Sequence, residues 1–232
     1  MNTVAPHSWS VSTAEAKEIQ LGLRDRVSSE ADLGDVSTVA GVDVGMEGNL
    51  ARAAVVVLAY PSMTPVEQSL STMPASMPYV PGYLSFREAP AILAACDQLE
   101  TEPDLFVFDG QGVAHPRRFG IASHVGVILD KPSIGCAKSR LCGTHHEPGL
   151  EAGSYVHLYD GDEILGAVLR TRDNVSPVYV SVGHRVSLET AIEYVLACCR
   201  GYRLPETTRY AHRVASGEQL WTGPEQRSVF DP

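Results

Sequence analysis

Apolar positions recur with two periods along this chain, and the places where the period changes mark its elements. Over residues 12–31, Ile19, Leu23 and Val27 repeat at helical spacing and Ser12 with Glu15 forms a capping box, which predicts an amphipathic helix. The runs VAGVDVG (39–45) and AAVVVLA (53–59), and a weaker stretch from Val66 to Met73, read as consecutive strands. Their short Gly- and Pro-containing connections suggest an antiparallel meander. The segment PASMPYVPG (74–82) is a loop with three prolines. A helix is expected near Ser85, where Ser85 and Glu88 make a second capping box and Ile92, Leu93, Ala95, Cys96 and Leu99 continue it. Pro90 would fit best in the first turn of a helix that starts slightly later. Leu105–Phe108 reads as a short buried strand, Ser123–Leu129 as a helix and Ser133–Ala137 as a strand. Two strands, Tyr155–Tyr159 and Ile164–Leu169, flank the turn Asp160-Gly161-Asp162, and Val178–Val182 is another. Helices over Ser187–Cys199 and Glu206–Ala215 follow.

A strand meander followed by alternating helix and strand is the order of an α/β mixed sheet flanked by helices, and a ribonuclease H-like arrangement fits it. No repeat or linker divides the sequence, so residues 1–232 are expected to form one domain. Apolar residues at 44% and charged residues at 20% exclude a disordered chain. No apolar run reaches the length of about 18 residues that a membrane span needs, so no membrane partner is expected. The first ten residues lack a basic stretch followed by an apolar one, as a leader would have, and a cytoplasmic location is expected. Five cysteines without a CxxC pair fit a reducing compartment, and Cys198 and Cys199 read as core. The grouping Cys136, Cys142, His145, His146 matches no familiar zinc spacing. A monomer is the default.

A net charge of −10 argues against a general nucleic-acid binder, which carries a basic footprint. The charge is uneven, however. Between Val113 and Arg140 stand Arg117, Arg118, Lys131, Lys138 and Arg140 against Asp130 alone. Arg117 and Arg118 read equally well as solvated surface.

Candidate chemistry centres on Asp43, Glu88 and Asp109. Asp43 interrupts one predicted strand and Asp109 follows another, and a carboxylate there is costly to bury unless something positive holds it. In a ribonuclease H-like sheet Asp43 would lie on the first strand, Asp109 at the end of the next central strand, and Glu88 on the helix between them. Oxygen-rich clusters of this kind suit Mg²⁺ or Mn²⁺, and two metal ions held by such carboxylates can activate a water, neutralise the phosphate and stabilise the leaving 3′-oxygen of a phosphodiester. For Glu88 the capping box offers a competing structural role.

The blocks DGQGVAHPRRFGIASHVG (109–126) and PSIGCAKSRLCG (132–143), with PYVPGYLSFRE (78–88), GHRVS (183–187) and GYRLPE (201–206), resemble the endonuclease V family closely. With the Asp43 strand they span about residues 39–215 in order. The resemblance implies a Mg²⁺-dependent endonuclease, with Mn²⁺ as the substitute. Such an enzyme recognises deoxyinosine in DNA and nicks the second phosphodiester 3′ to it, leaving 3′-hydroxyl and 5′-phosphate ends. Family members differ in whether inosine-containing DNA or RNA is preferred.

The resemblance places Asp43, Glu88 and Asp109 as metal ligands, Lys138 near the scissile phosphate, and His212 on the last helix as an active-site histidine. His184 remains a second candidate. Tyr79 between Pro78 and Pro81 fits a wedge that fills the space left by an unstacked base. Gly82, Gly110, Gly112 and Gly120 would bring backbone close to the base, with Leu84, Ile121 and Leu141 as apolar walls. His115 would contact the substrate backbone or support the pocket. A ribonuclease for inosine-containing RNA and a non-catalytic nucleic-acid binder are the alternatives. Retention of all three carboxylates and Lys138 counts against the latter.

Overall fold

The computed structural model describes residues 6–31 and 33–220; residues 1–5, where the absence of a leader was read, and the tail 221–232 lie outside them. Eight strands form one sheet, ordered β3-β2-β1-β4-β5-β8-β7-β6. These are β1 (Thr38–Glu47), β2 (Leu50–Ala59), β3 (Thr64–Pro74), β4 (Leu105–Phe108), β5 (Ser133–Ala137), β6 (Tyr155–Asp160), β7 (Glu163–Leu169) and β8 (Val178–His184). The first three make the expected antiparallel meander. β1, β4 and β5 run parallel to one another, and the remaining pairs are antiparallel. This is the ribonuclease H-like mixed sheet that the order of elements predicts.

Helices α2 (Leu84–Cys96) and α3 (Ile121–Leu129) make the crossovers between the parallel strands, and α4 (Leu188–Ala197) and α5 (Glu206–Ala215) close the chain. Side chains alternate across the central strands, so the sheet buries both faces. Ala40, Val42, Phe106 and Phe108 pack against α2 and α3. Val39, Leu105 and Val107 pack on the other side in the core shared by α4 and α5. Among the described residues no helix is long and apolar enough to cross a membrane.

Two helix expectations need correction. The helix α1 (Thr13–Leu23) has the Ser12–Glu15 capping box, but it ends after a single 3₁₀ turn at Arg26 rather than at residue 31. Its buried face is Ala16 and Gln20, while Ile19, Leu23 and Val27 are half-buried. Beyond Val27 the helix does not resume: the Ser28 backbone bonds both His184 and Arg185 at the end of β8. The second correction concerns Ser85 and Glu88, which make no capping box. The cap of α2 is Tyr83, and Ser85 is the second helical residue, its hydroxyl turned to His124 on α3. Pro90 lies inside the helix, where its missing N–H leaves the Phe86 carbonyl free. The Ser76 hydroxyl donates to that carbonyl instead.

α5 reaches β1 through Gly41. A Cβ added there would stand 1.9 Å from the Thr207 carbonyl oxygen, so the helix backbone lies directly on the strand. Gly41→Ala should therefore push α5 off the sheet and cost about 3 kcal/mol in chemical denaturation, as overpacking against backbone does. A loss below about 0.5 kcal/mol, the range of a surface change, would contradict the close packing.

Candidate active site

β4 and β5 end beside the middle of β1, and each of these three parallel strands delivers a charged side chain there. Val42 pairs with Phe108, and the Asp109 N–H donates to the Val42 carbonyl, so Asp43 and Asp109 follow directly on paired residues. Lys138 comes immediately after β5 and forms an ion pair with Asp109. Glu88 is released from the capping role and joins the two aspartates from α2. His212 on α5 donates from Nδ1 to Asp43 Oδ2 at 2.7 Å.

The electrostatics match a crowded acidic centre. Burial first, and then the neighbouring Asp43, push Glu88 up to about 8, Arg87 opposing and Asp109 adding to the rise. Burial also raises Asp109, with its bond to Lys138 working the other way. Among the described residues no three His, Cys, Asp or Glu side chains stand in a ready-made coordination shell. Asp109 is paired with Lys138 and Asp43 with His212. The donor set nevertheless fits a hard divalent cation: three carboxylates, two of them pushed toward protonation by mutual repulsion and poor solvation. A bound cation would supply the missing positive charge.

A slot of about 290 Å³ opens beside this centre and shares Asp109 and Lys138 with it. Of the predicted lining, Gly82, Leu84, Gly110, Gly120, Ile121 and Leu141 border the slot. Tyr79 does too, at 67% exposure, on the loop before α2. Pro78 and Pro81 flank Tyr79 without lining the slot. Gly112 lies behind the wall: a Cβ there would meet the Val182 carbonyl oxygen at 1.9 Å, so its task is to let the loop lie against β8. His115 lines the slot and supports it. Burial, aided by Arg117, pushes its pKa down to about 4. The neutral ring then donates from Nε2 to the Gly82 carbonyl at 2.9 Å and accepts the Arg117 N–H at Nδ1.

Several participants escape a sequence reading. Gln20 and Arg117 also donate to the Gly82 carbonyl, and Arg117 lies over the Tyr83 ring, so one carbonyl anchors the loop that carries Tyr79. The signal for Gln20 was a polar residue four positions after Ala16 on a helix face. Arg203 donates to the carbonyls of Ser176, Pro177 and Lys138, holding the backbone of the lysine. Ser85, Gln111 and Arg140 also line the slot. The basic stretch 113–140 is not one footprint. Arg118 pairs with Asp160 and Glu163, and Lys131 with Glu102. His184 bonds Asp130 and the Ser28 backbone beside a separate cavity.

A ribonuclease H-like sheet with an acidic centre and an adjoining slot where its parallel strands β4 and β5 end defines a class of α/β proteins that bind ligands at that edge. The particular family follows from comparison. Residues 21–213 match the family model for endonuclease V. An endonuclease V from Roseiflexus sp. (strain RS-1) is 56% identical over 208 residues, covering 90% of this chain and 94% of its own. The crystal structure of endonuclease V from Streptomyces avermitilis is similar with a TM-score of 0.86 at 43% identity, covering 93% of this chain and 96% of that one. An endonuclease V from Ciona intestinalis has a TM-score of 0.78 at 32% identity, over 88% of this chain and 95% of that one. It was solved in complex with a 24mer DNA containing an inosine followed by a ribo-adenosine. This chain belongs to the endonuclease V family, and it is a nuclease.

The Glu88 environment has a signed consequence. Its folded pKa of about 8 lies above the ordinary 4.5, so the folded chain holds the proton more tightly than the unfolded one. Stability is therefore lost as pH rises from about 4.5 through about 8. Glu88→Gln removes that loss. With chelator present, wild type and variant should unfold alike at the acidic end and differ by on the order of 3 kcal/mol at the alkaline end. A difference that does not change with pH would contradict the burial of this carboxyl.

Proposed function

We propose that the protein is a repair endonuclease that takes the hypoxanthine base of deoxyinosine into the slot. It would cut the second phosphodiester 3′ to the lesion, leaving 3′-hydroxyl and 5′-phosphate ends. The observation that carries this reading is the shared wall: Asp109 and Lys138 belong at once to the acidic centre and to the slot. A base held in the slot therefore puts its own strand against the carboxylates. The Ciona intestinalis relative solved with inosine-containing DNA supports the same substrate class.

Asp43, Glu88 and Asp109 would hold Mg²⁺, with Mn²⁺ as substitute. Two such ions bound there would supply charge neutralisation on the phosphate and a more acidic water. Lys138, its backbone held by Arg203, is placed to move from Asp109 to a non-bridging phosphate oxygen and stabilise charge developing there. His212 is 60% exposed while its Nδ1 is engaged by Asp43. Its Nε2 is then the atom free to orient a water or to exchange a proton at the leaving oxygen.

Recognition requires the base to leave the duplex, which is easiest for a mispaired or damaged one. Tyr79, flanked by prolines and anchored through Gly82, fills the vacated stack. Leu84, Ile121 and Leu141 sandwich the extruded ring, and Gly110 and Gly120 let main chain approach its edge. Adenine is refused by its 6-amino group and bare N1, and guanine by crowding at its 2-amino group. A second reading, cleavage of inosine-containing RNA, is favoured by the ribonucleotide that follows inosine in the Ciona intestinalis complex.

End-labelled duplex DNA with one deoxyinosine, run beside the undamaged duplex and a single-inosine RNA, tests the proposal on a denaturing gel. A single cut one nucleotide beyond the deoxyinosine, lost with chelator and in Asp43→Ala, is the expected outcome. Cutting of RNA alone would transfer the function to inosine-RNA turnover. Cutting of neither, with Mn²⁺ also tried, would reject the proposal. Tyr79→Ala should weaken binding of the deoxyinosine duplex by about tenfold or more, the scale of one lost base–aromatic stack. Binding unchanged from wild type would exclude the wedge.

A further inference from the structure

A chain of three side chains runs from the N-terminal segment to the wall of the slot. His7 Nε2 lies 2.7 Å from His124 Nε2, and His124 Nδ1 lies 2.9 Å from Ser85 Oγ. His124 is wholly buried, within ring contact of His7, Trp9, Phe86 and Phe119. Ser85 lines the slot. None of the three belongs to the acidic centre.

The proton positions along this chain follow from donor and acceptor chemistry. His7 Nδ1 lies 2.8 Å from the Ser8 carbonyl oxygen, which can only accept, so Nδ1 carries a hydrogen. Burial holds the His124 imidazole well below its usual pKa, which leaves that ring neutral with a single N–H. In the His7 tautomer whose single ring hydrogen sits on Nδ1, Nε2 is bare and accepts the His124 Nε2 hydrogen. His124 Nδ1 is then bare as well and accepts the Ser85 hydroxyl hydrogen. The Ser85 oxygen is left with only lone pairs to offer. Another lining side chain has the same bias. The Gln111 amide nitrogen donates to the Ser139 carbonyl, which fixes the direction of the amide, and its Oε1 has no protein partner.

We propose that Ser85 is a specificity-determining residue of the slot, held as a hydrogen-bond acceptor for the imino N1–H of the base by the ordered chain through His124 and His7. The inference rests on the base-binding reading given above. Hypoxanthine carries a hydrogen at N1, whereas adenine presents a lone pair there, which an acceptor repels. His7 acts through His124 and is a positioning residue. Its contribution is the direction in which the chain is polarised. A donor at position 7 reverses that direction: His124 Nε2 would have to accept, its hydrogen would move to Nδ1 and donate to Ser85, and the hydroxyl hydrogen would turn to the slot.

The test compares acceptor and donor at position 7 in the full chain, at mildly alkaline pH with Mg²⁺. Two duplexes are cut in parallel, one with deoxyinosine and one with 2′-deoxynebularine, a purine that lacks both the 6-oxo group and the N1 hydrogen. The preference for deoxyinosine is a ratio within one preparation, so a partly unfolded variant does not distort it. His7→Glu, which can only accept, should keep the preference within about twofold, whereas His7→Lys, which can only donate, should lower it about tenfold, the scale of one neutral hydrogen bond. Ser85→Ala should lower it by a similar factor, and adding His7→Lys to Ser85→Ala should have no further effect. Equal effects of His7→Glu and His7→Lys, or a preference unchanged in Ser85→Ala, would overturn the relay while leaving the endonuclease reading intact. A wild-type protein that cuts no deoxyinosine would remove the reading on which the relay rests.

Discussion

Negative charge gathered in a poorly solvated cleft is the constraint on which the rest of this structure depends. Asp43, Asp109 and Glu88 arrive from β1, from the end of β4 and from α2, and burial with mutual repulsion drives Glu88 up to about 8. Such an arrangement is unfavourable in isolation. It persists because the backbone around it leaves little freedom. Val42 and Phe108 are locked in register, and α5 sits directly on Gly41. The cations Lys138 and, when protonated, His212 offset part of the repulsion. A divalent ion would offset more of it, which links the stability of the fold to its chemistry.

The slot proposed as the base site depends on the same edge. The slot borrows Asp109 and Lys138 from the acidic centre and takes its other wall from the starts of α2 and α3. The Gly82 carbonyl, bonded by Gln20, His115 and Arg117, ties the exposed Tyr79 loop to α1 and to the segment before α3. Movement of any one of these parts would be felt at the reacting edge. The −10 net charge is compatible with this design, because the basic groups near the slot are local and few. If the slot takes the base as proposed, affinity comes more from the captured base than from phosphate contacts, and a shallow salt dependence follows.

How much of this was legible in the sequence depended on whether the signal was local. Strand runs, the Ser12 cap and the ends of α5 were readable because period and capping act over a few residues. Asp43 and Asp109 were readable for the same reason, as carboxylates set against apolar runs. Ser85 and Glu88 show the opposite case. Their spacing mimics a capping box, but tertiary contacts decide: His124 takes the serine hydroxyl, and the glutamate turns to the acidic centre. Gly112 looked like a residue making room for a base and instead makes room for the Val182 carbonyl. The roles of Gln20, Arg117 and Arg203 were invisible because their partners are main-chain carbonyls, Gly82 and Lys138 among them, far away in sequence.

The most direct test of the acidic centre as a cation site is calorimetric titration of the nucleic-acid-free protein with Mn²⁺ in buffers of different ionisation enthalpy. Below the Glu88 pKa of about 8, binding should displace the proton held there. The heats should then differ between buffers as expected for release of about one proton per binding event, fading at higher pH and absent in Glu88→Gln. Binding without proton release, or no binding at all, would contradict the account.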